Sequence, residues 1–362
     1  MPNPIAQSEE AAAPGLAPRG RRWQAWLGLA ISAVFLVIAF RGQHPSEVWA
    51  VLRQADLVWL VPALALFALG VLVRAVRWSV LLRPVAPLSG RDVLPVLLAG
   101  YTANNILPLR TGEIVRAFLL GSRFGVRRSA VLGTIAVERL FDGLTMLGFL
   151  LAAMTMVSPT PELRRLALAA ALAFALAIAA IAALLLAGDA WRKVLDIALR
   201  PLPAGLAIRV RSIASAFLEG LGALSRRGDL ALVTATSVVA WGFEAAMYWA
   251  LGRAFGDPLA ALLTPAAAVL TTGVANLATL VPAAPGYVGT FEAGVLLAVH
   301  GALGAPRALA LSYALLVHAA LWFPVTVVGA WCWWRITRRT KTATPPQPMA
   351  APHTPPRHPD PA

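Results

Sequence analysis

Apolar residues in this chain come in long unbroken runs separated by short polar stretches, with little of the one-sided striping of a water-soluble helix. Runs at 24–40, 57–75, 130–156, 166–187, 230–252 and 308–334 approach or exceed the roughly 20 residues an α-helix needs to cross a hydrocarbon core. Each is predicted to be a full span. Two further apolar segments, 93–120 and 260–300, are interrupted in the middle. The first carries NNILPLRTGE from Asn104 to Glu113; the second carries Pro265, Pro282, Pro285, Gly286 and Gly289, four of them within NLATLVPAAPGYVGTFE. Proline removes a backbone donor and clashes with the preceding turn, so neither segment continues as one helix. Broken backbone at membrane depth persists only against protein or a wet cavity. The pattern therefore predicts an all-α polytopic membrane protein of about six full transmembrane helices plus two re-entrant helical hairpins.

The order span, span, hairpin, span occurs twice, over about 24–156 and 166–334. With three crossings in each half, the second half must be inverted. Asn105, Pro108, Gly112 and Glu113 in the first hairpin find counterparts in Asn276, Pro282, Gly286 and Glu292 of the second. Inverted-topology repeats with paired broken helices mark secondary-transporter folds, with the site where the repeats meet.

Composition removes the soluble alternatives: 59% of residues are hydrophobic and 13% charged. A net charge of +14 is compatible with nucleic-acid binding, but the basic residues fall in the connections, as topology signals do. No nucleic-acid partner is expected. If both hairpins return to the side they entered, most of the 31 basic residues lie in the N-terminus, 76–128, 188–229 and the tail. The other side keeps Arg41, Arg53, Arg164, Arg165, Arg253 and Arg307. Both termini are thereby expected in the cytoplasm and the chain in the cytoplasmic (inner) membrane. The first apolar run follows Arg19, Arg21 and Arg22 but no small-x-small cleavage site follows it, so it is read as a retained span. Residues 1–22 and the proline-rich 336–362 are expected to be disordered flanks of a membrane domain at 23–335. The single cysteine, Cys332, excludes a disulfide framework and a thiolate metal site; no cofactor or metal is expected.

The polar residues inside the apolar segments carry whatever chemistry there is. Glu138, Arg139 and Asp142 (VERLFDGL) fall within one span. Their spacing puts Glu138 and Asp142 on one face, with Arg139 in reach of Asp142. A charge at the bilayer centre costs about 2.5–3.5 kcal/mol on insertion scales, so such a group needs partners or water. Arg110 or Arg116 of the first hairpin would serve as partners; headgroup contact or proton coupling are the functional alternatives. Glu113 and Arg116 open the returning arm, where Gly112 permits close approach and Glu113 suits the positive helix start. Arg110 and Arg116 flank that start, leaving a place for an anionic group such as a lipid phosphate; capping alone would also explain Glu113, and snorkelling to the cytoplasmic interface would account for the arginines, which are harder to dismiss. With Asn104, Asn105, Asn276, Tyr287 and Glu292 they make the set of headgroup-binding candidates. Glu244, beside Trp241 and Tyr248, shows no local partner, and a glutamate buried so is expected to be pushed towards its neutral form. His300 and His318 read as packing or interface residues. RRWQAW and WCWWRITRR are interfacial anchors, and 205–225 is an amphipathic segment suited to the membrane surface.

Four of these stretches, RAVRWSVLL, NNILPLRTGEIVRAFLL, AVERLFDGL and VPAAPGYVGTFE, in that order over about 24–335, resemble the lysylphosphatidylglycerol synthase transmembrane region, a flippase-like (UPF0104-type) integral membrane family. The resemblance implies the membrane half of enzymes that attach amino acids to phosphatidylglycerol and move the product across the bilayer. Some stand-alone members are associated with lipid-linked or surface-glycan pathways. The stretch after Arg339 is too short for the family's soluble aminoacyl-transferase domain, so synthase activity is not expected. Where the family often has PGG, this chain has PGYVGTFE, and Tyr287 is expected to narrow the site.

Three functions fit. The first is a translocator of a membrane phospholipid or lipid-linked headgroup. The second is a membrane-embedded transferase with Glu113, Glu138 or Asp142 as general base. The third is a non-catalytic partner of a separate lipid-modifying enzyme. The broken helices and the repeat favour the first.

Overall fold

The computed structural model describes residues 22–107, 110–157, 160–186, 227–281 and 283–342, with isolated positions between 197 and 215. Of the flanks expected to be disordered, 1–22 and 336–362, residues 1–21 and 343–362 lie outside the described residues, as do most of the amphipathic stretch 205–225 and the breaking prolines Pro108 and Pro282. Regular structure among the described residues is helical throughout. The first half holds α1 (Arg22–Phe40), α2 (Pro45–Arg53), α3 (Leu60–Leu82), α4 (Gly90–Ile106), α5 (Gly112–Phe124) and α6 (Arg128–Ala153). The second holds α7 (Pro161–Leu186), α8 (Arg227–Arg253), α9 (Leu259–Leu262), α10 (Pro265–Ala278), α11 (Thr290–Leu296) and α12 (Arg307–Thr342). A 3-10 turn at Pro285–Tyr287 precedes α11 and a π-helical turn at Leu297–Ala302 follows it.

Three helical stretches, Leu57–Leu82, α8 and Arg307–Arg338, are long and apolar enough to cross a membrane. The pair Gly28–Phe40 and Pro45–Arg53, bent by 75°, makes a fourth if it forms one span. The exterior is apolar and the interior charged: Val61 is 73% exposed on α3, whereas Arg77 on the same helix is 0% exposed. That inversion is what lipid demands, since hydrocarbon accepts valine and rejects an unpaired guanidinium. The chain is a multi-pass membrane protein.

Both interrupted segments are broken as their sequences require. The first stops at Ile106 and restarts at Gly112. The second begins with Pro265 at the first turn of α10, where the missing N–H costs nothing, and Thr264 caps it by accepting from the Ala267 amide. It stops at Ala278 and restarts at Thr290. Two boundaries differ from expectation. Helix α3 continues past 75 to Leu82, carrying Arg74 and Arg77 into the protein interior, and α12 continues past 335 to Thr342.

The packing falls into matched pairs. The second spans of the two halves, α3 and α8, lie along each other. The outgoing arm of the first hairpin, α4, packs on α12, and its counterpart α10 packs on α6. Small residues let these backbones approach, as in membrane interfaces generally. A Cβ on Gly70 would press on the Ala240 carbonyl, and one on Gly329 would overlap the Leu98 carbonyl and the Thr102 hydroxyl. Within the first hairpin, a Cβ on Gly112 would collide with the Gly100 carbonyl and the Asn104 amide.

Candidate functional site

The charged interior is assembled by helix registry. Arg74 and Arg77 are one turn apart on α3 and both point inward, but towards different carboxylates. Arg74 donates to Glu244 of α8 at 2.6 Å and stacks 4.5 Å from the Trp241 ring. Asn276 of α10 donates to the other oxygen of Glu244 at 3.2 Å. Glu244, expected to stand alone and lose its charge, thus has a cation against it. The partner lies 170 residues away, which is why no local pattern revealed it.

Arg77 donates to Asp142 at 2.7 Å and to the Ser237 hydroxyl at 2.9 Å. Asp142 also accepts from the Trp241 indole at 2.8 Å. Glu138 receives two hydrogen bonds from Arg116, at 3.1 and 2.7 Å, and one from Arg139 at 2.7 Å. Arg139 reaches Asp142 at 3.5 Å, and the Arg116 guanidinium lies 3.9 Å from the centre of the Trp78 ring. Of the two partners expected for the acidic pair, Arg116 is the one found. Arg110 is not; it turns away to the second hairpin. A bidentate arginine–carboxylate pair is the strong form of this contact, and α5 is fastened to α6 through it.

The hairpin tips meet each other. Arg110 Nε donates to the Tyr287 hydroxyl at 3.0 Å, and its guanidinium lies 5.1 Å from the centre of that ring. Among the described residues, its partner is this phenol and no carboxylate. Asn104 accepts from the Gly112 amide at 2.7 Å, closing the first tip. Asn105 donates to the Thr326 hydroxyl at 2.8 Å, tying that tip to α12. On the second hairpin, Glu292 accepts from the Gly289 amide at 2.6 Å and meets His318 of α12 at 2.5 Å. His318 is therefore a bonded member of the site and not mere packing. Glu113 sits half-buried in the first turn of α5.

Between the tips lies a cavity of about 180 Å³. Asn104, Asn105 and Arg110 line it from one hairpin and Asn276, Gly286 and Tyr287 from the other. Arg74, Arg139, Asp142 and Glu244 form its charged wall, and Phe67, Phe291 and Leu321 are among its apolar lining. Of the eleven residues singled out from sequence, Glu113, Arg116, Glu138 and Glu292 do not line the cavity. Arg116, Glu138 and Glu292 hold the helices behind it. Arg74, Arg77, Tyr101 and Trp241 were not singled out. The spacing of RAVR, two arginines three apart inside an apolar run, was the available signal for the first two. Counting charges, Arg77, Arg116 and Arg139 face Glu138 and Asp142, Arg74 balances Glu244, and Arg110 adds a further cation. The arrangement suits an anion. Among the described residues no group of three or more His, Cys, Asp or Glu is placed to hold a metal ion.

A charged centre where two broken helices touch inside an apolar helical shell defines a multi-pass membrane protein built around an internal polar site. Residues 25–329 match the family described as the lysylphosphatidylglycerol synthase TM region, and the chain belongs to that family. It is 24% identical over 328 residues to the glycosyltransferase AglD of Haloferax volcanii, an alignment covering 83% of this chain and 52% of that protein. It is 31% identical over 117 residues to a UPF0104 membrane protein of Methanothermobacter thermautotrophicus, covering 32% of this chain and 33% of that one. The chain thus spans about half the length of the first relative and a third of the second. No solved structure matches it.

Proposed function

We propose that this protein binds the anionic headgroup of a phospholipid or lipid-linked molecule between its two hairpin tips and carries it across the cytoplasmic membrane. The observation that carries the reading is the cavity lined by the bonded pair Arg110 and Tyr287 and walled by more guanidinium than carboxylate charge. A headgroup needs a polar path of this kind while its acyl chains stay in lipid. The topology that goes with it has six full spans, two re-entrant hairpins entering from opposite faces, and both termini in the cytoplasm. The matched packing of α4 on α12 and α10 on α6 supports an inverted repeat, the architecture in which a central site opens alternately to either side.

A membrane-embedded transferase is the second reading, and the relative named as a glycosyltransferase speaks for it. Against it, Glu138 and Asp142, two of the carboxylates available as a general base, are each held by arginines. A separate enzyme that modifies the same lipid fits as a partner. The test is purified protein in liposomes carrying fluorescent phospholipids and polyprenyl phosphates in one leaflet. Redistribution with the wild type and its loss with Arg110→Ala supports translocation; unchanged leaflet distribution across the panel refutes it.

A further inference from the structure

The second hairpin is fastened to α12 by a histidine whose two ring nitrogens both face oxygen. His318 Nδ1 lies 2.5 Å from Glu292 Oε1, and Nε2 lies 2.8 Å from the Gly286 carbonyl oxygen. A carbonyl oxygen only accepts, so Nε2 carries a hydrogen. The contact between Nδ1 and Oε1 then needs a hydrogen of its own, since otherwise a ring lone pair would face a carboxylate oxygen. Whether that hydrogen rests on nitrogen or oxygen, the pair holds one proton more than a carboxylate beside a neutral imidazole. Glu292 is 2% exposed and its second oxygen is occupied by the Gly289 amide. His318 lines the cavity.

We propose that Glu292 and His318 form a proton-binding site whose loading holds the two hairpin tips together, so that the proton is the ion coupled to headgroup movement. This deepens the translocation reading above and rests on it. When the proton leaves to solvent, the imidazole has one N–H for two acceptors. The carboxylate is the stronger acceptor, so the remaining hydrogen sits on Nδ1, and the Nε2 lone pair faces the Gly286 carbonyl. That contact breaks. Gly286, at φ 71°, belongs to the Pro285–Tyr287 turn, and the next residue is Tyr287, which holds Arg110. Proton loss thus frees the turn from α12 and, through Tyr287, frees one hairpin tip from the other.

The other ionisable groups around the cavity leave this role to the pair. Arg74 of α3, Arg139 and Asp142 of α6, and Glu244 of α8 share the cavity with His318, but each of these carboxylates has an arginine on it. The rest are the phenols Tyr101 of α4 and Tyr287, with Arg110. Glu47 and Arg53 of α2, which also packs on α12, are not among the lining residues. His300, in the π-helical turn, is engaged with the Ala305 carbonyl.

The test measures the tip-to-tip distance by pulsed electron spin resonance. Labels sit at Ile106→Cys and Val288→Cys in a Cys332→Ala background, with the full chain in lipid nanodiscs from pH 5 to 9. The expected result is one short separation at low pH and a longer population growing as pH rises. Glu292→Gln should keep the short separation at every pH, because its amide N–H donates to Nδ1 without an added proton while its oxygen still accepts from Gly289. If that variant does not fold, His318→Gln, which does not titrate, should flatten the curve. A wild-type distance independent of pH overturns the proposal, as does Glu292→Gln following the wild-type curve. In liposomes with an imposed pH gradient, wild-type lipid movement should accelerate several-fold and Glu292→Gln movement should not. Flat distances with lipid movement intact remove the proton site alone. Distances that shift with pH while no lipid moves support the proton site and remove the translocation reading.

Discussion

Arg110 and Tyr287, one at the tip of each hairpin, are the two non-glycine residues with positive φ among the described residues, at 52° and 61°, and they bond to each other. Left-handed backbone at a non-glycine residue is uncommon and concentrates where function fixes the geometry. Here each strained residue is held by the other. Removing the guanidinium deletes a charged hydrogen bond, about 1.5–3 kcal/mol. Arg110→Ala is expected to slow headgroup movement by at least about tenfold, the equivalent of 1.4 kcal/mol, while monodispersity in detergent is retained. Tyr287→Phe keeps the ring stack and loses only the hydroxyl, so it should fall between wild type and Arg110→Ala. Adding it to Arg110→Ala should cost little more. Initial rates of leaflet redistribution for the four proteins check this; fully additive losses would show that the two residues act independently.

The Arg74–Glu244 pair answers to a different measurement. Breaking a buried pair by removing one member costs about 3–5 kcal/mol, whereas replacing both with apolar groups of similar size is often neutral. Glu244→Met alone is expected to lower the thermal transition strongly because Arg74, 5% exposed, is left without its carboxylate. Arg74→Met with Glu244→Met should recover most of the loss. Thermal unfolding followed by size-exclusion chromatography reads both, and equal destabilisation by the single and double variants would refute the pairing.

The sequence exposed the two breaks, the membrane class and the acidic face of α6, because proline, glycine and charge in apolar runs act locally. Arg116 was legible as a partner for the reason that its helix follows the break at once and precedes α6. Glu244 and His318 were not legible. Their partners sit on other helices, and no periodicity within 230–252 or 308–334 reports which neighbour a face will meet. Arg74 and Arg77 were lost through a boundary: with the span ended at 75, they fell at its edge, and the continuation of α3 to Leu82 buried them. Helix length decided their role.

Close approach within the first hairpin makes a sharp stability prediction. Gly112 lies against the Gly100 carbonyl and the Asn104 side chain that accepts its amide hydrogen. A methyl group there forces α5 away from α4 and pulls Arg116 off Glu138. Gly112→Ala is expected to lose several kcal/mol, more than the 1–3 kcal/mol typical of overpacking, and to abolish monodisperse protein. Gly148→Ala, on α6 where a Cβ meets nothing within 4 Å, serves as the neutral control. Similar folded yields of the two variants would show that the helices are not so closely set.

Sidedness tests the opposed hairpins. In the proposed topology the first hairpin returns to the cytoplasm before α6, and the second enters from the opposite face after α8. Ser129, exposed at the start of α6, then lies inside, and Ala261, exposed in α9, lies outside. Both accept cysteine with minor change in size. In intact cells expressing a Cys332→Ala background, a membrane-impermeant maleimide is expected to label Ala261→Cys at once and Ser129→Cys only after permeabilisation. A first hairpin that crossed completely would move Ser129 outside and reverse its labelling. A second that crossed would leave both labels as they are but move the far end of α12, so Lys341→Cys is the third position, expected to label from the cytoplasm only. Labelling of Ser129→Cys and Ala261→Cys from the same face would end the inverted-repeat reading, and with it the reason for placing a headgroup path at the cavity that Arg110 and Tyr287 line.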